Sequence, residues 1–115
     1  MAKDRLYLLS PGFEDANIPG GGVWICHDCT AMEGYLVQFP HLRDEIEVIH
    51  LPFPRPRAVM VDLLGEENQG LPRLVLAEPS DGPEVQRAKG RHFIADSRPI
   101  MRYLAARYGA APPHP

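Results

Sequence analysis

Between Arg5 and Tyr108, short apolar runs of strand character alternate with runs of helical period. That order restricts the chain to a small sheet covered by helices. "RLYLLS" (Arg5–Ser10) reads as a strand that Pro11-Gly12 ends, and "GFEDANIPGGGVWI" is a loop broken by four glycines. From His27 to Phe39 the apolar positions Met32, Tyr35, Leu36 and Phe39 fall on one helical face, which Pro40 stops, and "HLRDE" reads as a further turn. "IEVIHL" (Ile46–Leu51) is the second strand, "PFPRPR" a connector, and "AVMVDLLG" a helix that Gly65 ends. "RLVLAE" (Arg73–Glu78) is the third strand, "PSDGPEVQRAKGR" a polar turn and "HFIA" the fourth strand. The last helix begins near Ser97 and carries Ile100, Tyr103, Leu104 and Tyr108.

The predicted order is β-α-β-α-β-β-α. The crossover helix makes the first two strands parallel, and the turn makes the last two antiparallel, which gives a mixed four-stranded α/β sheet. Residues 1–109 are expected to form one domain. Residues 110–115, "AAPPHP", are expected to be a disordered tail, part of a high proline content of 13 in 115. A net charge of -3 argues against nucleic-acid binding, which needs a clustered basic surface. No apolar run approaches a membrane span, and "MAKDRLYLL" lacks the long apolar stretch of a signal peptide. A cytoplasmic chain is expected.

In the cytoplasm, paired cysteines tend to be catalytic or metal-binding rather than structural disulfides. Cys26 and Cys29, in "VWICHDCTAMEGYL", are the only two in the chain and stand where the first helix begins. Residues three apart in a first turn hold their β-carbons roughly 5–6 Å apart, close to what a disulfide needs. The helix N-terminus favours an anion at Cys26, and Cys29, a turn along and further inside, is placed to resolve a mixed disulfide. His27, if protonated, assists the anion, and Asp28 opposes it. Two other readings of the same pair stay open at this point. The cysteines supply half of a zinc site completed by a homodimer or by His41, His50 or His92, or they are inert thiols.

Two further stretches carry a resemblance. "GLPRLVL" (Gly70–Leu76) resembles the segment of glutaredoxins, and of the N-terminal domain of glutathione S-transferases, that holds a cis-proline before the third strand. "FIADSRPIMRYLAARYG" (Phe93–Gly109) is similar to the transferase stretch in which an acidic residue and a serine precede an Ile and a Tyr-Leu pair. With the cysteine pair, the resemblance runs from Arg5 to Gly109 and points to the thioredoxin-fold superfamily. The whole is also similar to a small family of uncharacterised bacterial thioredoxin-like proteins without an assigned activity. The resemblance implies a cis bond at Leu71-Pro72, with the Leu71 backbone pairing the cysteinyl part of glutathione. It also implies that Asp96 and Ser97 receive the γ-glutamyl group. Read without the resemblance, Pro72 is a trans loop proline and Asp96 or Ser97 a helix cap, with Pro99 in the first turn.

The chain departs from these families in three ways. Some fifteen residues separate the first strand from Cys26, where glutaredoxins have almost none. Trp24 stands two before Cys26, not next to it as in thioredoxins, and nothing corresponds to the helical second domain of the transferases. The expected function is thiol–disulfide exchange, with Cys26 as nucleophile and Cys29 as resolving thiol. No cofactor or metal is implied. Glutathione or a protein disulfide is the expected partner, without nucleic acid or membrane, and a homodimer is compatible. The alternatives are a non-catalytic adaptor that keeps the fold and a zinc-stabilised domain.

Overall fold

The run Leu6-Tyr7-Leu8 is buried on both faces of the strand β1 (Arg5–Leu9), which is why it reads as continuous apolar sequence rather than as an alternation. The structure, a computed structural model, describes residues 2–115. After β1 come α1 (His27–Gln38), the short α2 (Leu42–Glu45), β2 (Glu47–Leu51) and α3 (Ala58–Leu64). A 3-10 turn (Glu66–Asn68), β3 (Arg73–Val75), β4 (Gln86–Ala88), β5 (Arg91–Ala95) and α4 (Ser97–Tyr108) complete the chain. The strands form one mixed sheet in the order β2-β1-β3-β5-β4. β1 and β2 are parallel, and every other neighbouring pair is antiparallel.

The expected four strands are thus five. The stretch expected to be a polar turn contains β4, a three-residue edge strand paired to β5 from Gln86↔Phe93 to Ala88↔Arg91. Lys89 and Gly90 join the two with φ of 49° and 74°, the backbone of a two-residue hairpin turn that needs positive φ at both positions. Glycine adopts such a φ freely, whereas lysine seldom does, so "AKGR" carries no hairpin signal of the Asn-Gly kind. An edge strand with polar side chains also lacks the apolar alternation that reveals inner strands.

Each face of the sheet has its own core. On one, Leu6 and Leu8 of β1, Leu74 and Ile94 pack against Met32 and Leu36 of α1 and Ile100 and Leu104 of α4. On the other, Tyr7, Val75 and Phe93 pack against Met60 and Leu64 of α3. The period-two alternation of strand side chains sends neighbours such as Leu6 and Tyr7 to opposite cores. Ala111, in the segment expected to be a disordered tail, accepts a hydrogen bond of 2.8 Å from the Tyr35 hydroxyl. Among the described residues, no helix is long and apolar enough to cross a membrane.

Candidate functional site

Strand register gathers the residues singled out in the sequence. Tyr7 pairs with Arg73, and Arg73 pairs with Ala95. The end of β1, the start of β3 and the end of β5 therefore lie together. Onto that edge come Cys26 and Cys29 at the start of α1, Leu71 and Pro72 ahead of β3, and Asp96 and Ser97 at the start of α4.

Cys26 is the N-cap of α1, with extended backbone, and its half-buried sulfur accepts the Cys29 N–H at 3.2 Å. A cap normally uses the oxygen of Ser, Thr, Asp or Asn; here a sulfur fills that role and receives an otherwise unpaired helix donor. Across from it, the Leu71 carbonyl lies 4.0 Å from the Cys26 sulfur. Leu71-Pro72 is cis, as is Arg55-Pro56. Cys29 is 3% exposed, and its sulfur accepts the Leu9 N–H at 3.4 Å. Burial pushes its thiol up from 9.0 to about 12; the contact with Cys26 adds to this, and the Leu9 N–H partly opposes it. Both thiols are free and line one cavity of about 290 Å³ with Leu9, Pro11, Ile25, Thr30 and Glu33.

Charges around the pair are mixed. The His27 side chain is 93% exposed and 3.7 Å from Asp28, so it points to solvent rather than over Cys26. His50 lies 3.4 Å from both Glu33 oxygens. His41 contacts the Gly109 carbonyl, and His92 the Ser80 backbone. Among the described residues, no group of three or more His, Cys, Asp or Glu is placed to hold a metal ion.

At the start of α4, Asp96 is exposed and occupies the N-cap position with φ 72° and ψ 146°, yet its side chain makes no cap hydrogen bond. A non-glycine residue in that region costs on the order of 1–3 kcal/mol, which the cap does not offset. Its charge instead partly counters the effect of burial on Arg73, whose pKa is lowered. Ser97 is buried, and its hydroxyl donates to Asp28 at 3.4 Å, so the first turns of α1 and α4 face each other.

Sequence reasoning missed Arg57, in the proline-flanked connector, and its partner Gln69. Both are buried. An arginine that ends a proline-rich run reads as a solvated linker residue, and no spacing ties it to a glutamine twelve residues on.

The chain matches, over residues 3–112, the family described as "Protein of unknown function (DUF3088)", and it belongs to that family. No curated protein and no solved structure matches it.

Proposed function

We propose that the chain, as a member of that family, is a cytoplasmic thiol–disulfide oxidoreductase of thioredoxin-like architecture. What carries this reading is the asymmetry of the pair. Cys26 is accessible, caps a helix and faces a backbone carbonyl, while Cys29 is buried one turn behind it. In the proposed reaction the Cys26 thiolate attacks one sulfur of a substrate disulfide, forming a mixed disulfide and releasing the other half as thiolate. Cys29 then loses its proton and attacks the Cys26 sulfur. This closes the Cys26–Cys29 disulfide and frees the second half, which takes up a proton. The two substrate sulfurs are reduced and the two protein sulfurs oxidised, so electrons balance without a cofactor.

The test is mild oxidation followed by mass spectrometry of the monomer. A loss of two hydrogen atoms, regained with a reductant, is expected. Disulfide-linked dimers as the main product would show that the thiols are badly placed for each other and remove the reading.

Glutathione disulfide suits the rest of the site as substrate. The Leu71 backbone, its carbonyl 4.0 Å from the Cys26 sulfur, suits the cysteinyl part of an extended peptide, and the N–H groups at the start of α4 suit its γ-glutamyl carboxylate. Asp96 and Asp28, flanking Ser97, suit the amino group. Asp96→Gly is the cleaner variant, because glycine accepts φ 72° while an alanine would add strain. Titration calorimetry should show glutathione affinity falling about tenfold or more on loss of a charge-assisted hydrogen bond. The urea midpoint should hold or rise. Wild-type protein giving no heat at millimolar glutathione moves the substrate to a protein disulfide.

A further inference from the structure

Val23, Trp24 and Ile25, which lead directly into Cys26, are 67%, 42% and 58% exposed. Three consecutive exposed apolar residues are unfavourable in a water-facing loop unless something covers them. They are also held in place. Trp24 exchanges two backbone hydrogen bonds with Phe13, at 2.8 and 3.1 Å, and Phe13 stacks on Phe53 with ring centroids 4.3 Å apart. The Phe13–Trp24 bridge gives residues 23–25 one paired edge and one free edge. Among the described residues the Val23 and Ile25 backbones make no hydrogen bond. Unpaired N–H and C=O groups on such an edge are a template for a further strand.

The thiol site decides what covers them. Ile25 lines the cavity that Cys26 and Cys29 share, so a molecule bonded to the Cys26 sulfur has this segment beside it. Leu71 faces Cys26 without lining that cavity, which puts the position proposed for glutathione on another side of the sulfur. The cavities at the two ends of the segment are lined by carboxylates, Glu14 and Asp15 in one and Glu33 in the other, and, among the described residues, by no cation. Those charges repel glutathione, whose net charge is negative, and anionic lipid alike, and they suit a neutral or basic apolar peptide.

The reaction itself calls for a second partner. It ends with the Cys26–Cys29 disulfide closed, so a further turnover needs a thiol compound that opens it. We propose that this compound is a protein dithiol, and that an extended apolar segment of it docks along residues 23–25 as an added strand. This rests on the redox reading of the cysteine pair. One thiolate of the partner attacks the Cys26 sulfur, and Cys29 leaves as thiolate and takes up a proton. The partner's second thiolate then attacks its own sulfur in the mixed disulfide, and Cys26 leaves. The partner's two sulfurs are oxidised, this chain's two are reduced, and the two protons the partner gave up go to Cys26 and Cys29.

Trp24 is the one tryptophan of the chain, so its emission reads occupancy of the segment. Reduced protein is titrated with two blocked peptides, Val-Leu-Val-Ser-Lys and Gly-Ser-Gly-Ser-Lys. A saturable emission shift at or below millimolar peptide is expected with the first alone. Its affinity should fall roughly tenfold or more in the double variant Val23→Ser, Ile25→Ser, whose exposed positions leave the fold intact. No shift, or an unchanged affinity in the variant, overturns the docking surface. Oxidised protein is then reduced by dithiol peptides in which Val-Leu-Val or Gly-Ser-Gly precedes Cys-Gly-Gly-Cys, each rate divided by that peptide's rate with a small linear disulfide. The apolar leader should be roughly tenfold faster in wild type and lose that advantage in the double variant. Equal rates in wild type overturn the protein dithiol. Wild type that dimerises while the variant stays monomeric assigns the segment to a second copy of this chain and overturns the proposal as well. A pair that does not close in the oxidation experiment removes the redox reading, and the exchange with it, whatever the emission shows.

Discussion

Native protein treated with a neutral alkylating reagent at pH 8 is expected to be modified at Cys26 while Cys29 stays untouched. Only the thiolate reacts. A thiol pushed from 9.0 to about 12 holds about a thousandth of the thiolate an ordinary cysteine would have at that pH, which sets the expected lag of Cys29 behind a free cysteine. Burial is the largest cause, and at 3% exposure it also bars the reagent itself, so the lag should be at least that large. Peptide mapping after timed labelling gives both rates in one experiment. Cys29 reacting within tenfold of Cys26 would mean that the first turn of α1 opens readily, and the asymmetry behind the redox reading would be gone.

That inert thiol still suits a resolving role. Two of the influences holding the Cys29 proton come from Cys26, through their contact and through negative charge on its sulfur. Once Cys26 is bonded to a substrate sulfur, it carries no charge and both influences vanish. The Leu9 N–H, which stabilises the Cys29 anion, remains at 3.4 Å. On this reading a mixed disulfide at Cys26 eases the loss of the Cys29 proton, while burial, the largest cause, still holds it.

The gross layout was legible because its signals are local. The helical period of Met32, Tyr35 and Leu36 and the apolar run Leu6-Tyr7-Leu8 each sit inside one element, and the stops at Pro40 and Gly65 lie within two residues of the helix they end. The meeting of Cys26, Leu71 and Asp96 was legible at one remove, since the antiparallel order of the last two inner strands brings their loops to one edge. β4 was hidden because a polar edge strand and a lysine at φ 49° look like a turn. Arg57 was hidden for a different reason. Its buried guanidinium donates to the carbonyls of Phe53 and Gln69, and backbone acceptors leave no mark in side-chain pattern. The Asp28–Ser97 contact, 69 residues apart, was equally invisible before the two helices were placed side by side. Local periodicity therefore exposed the frame, and long-range polar contacts carried the parts that it left out.

Alkali should destabilise the fold well before any catalytic question arises. The proton of Cys29 is held more tightly in the folded chain, at about 12, than in the unfolded one, near 9.0. Below pH 9 both states keep it, and its contribution to stability is complete. As pH rises through 9 the unfolded chain gives it up while the folded chain does not, so stability falls until pH reaches about 12. The loss is about 1.4 kcal/mol per pH unit, and about 4 kcal/mol over the window, a large fraction of a small domain's stability. Tyr35, Tyr103 and Tyr108 are pushed the same way, burial being the largest cause for each. Tyr108 also donates to buried Asp4 at 2.7 Å, a bond that its ionised form could not make. All three add to the loss above pH 10. Urea midpoints under reducing conditions, taken at each unit from pH 8 to 11, read this directly. Cys29→Ala should start lower, having lost packing and the acceptor for the Leu9 N–H, and should then fall less steeply between pH 9 and 10 than wild type. Parallel slopes for the two proteins would show that Cys29 titrates alike in folded and unfolded chains. Its burial behind Cys26 would then not be what holds its proton.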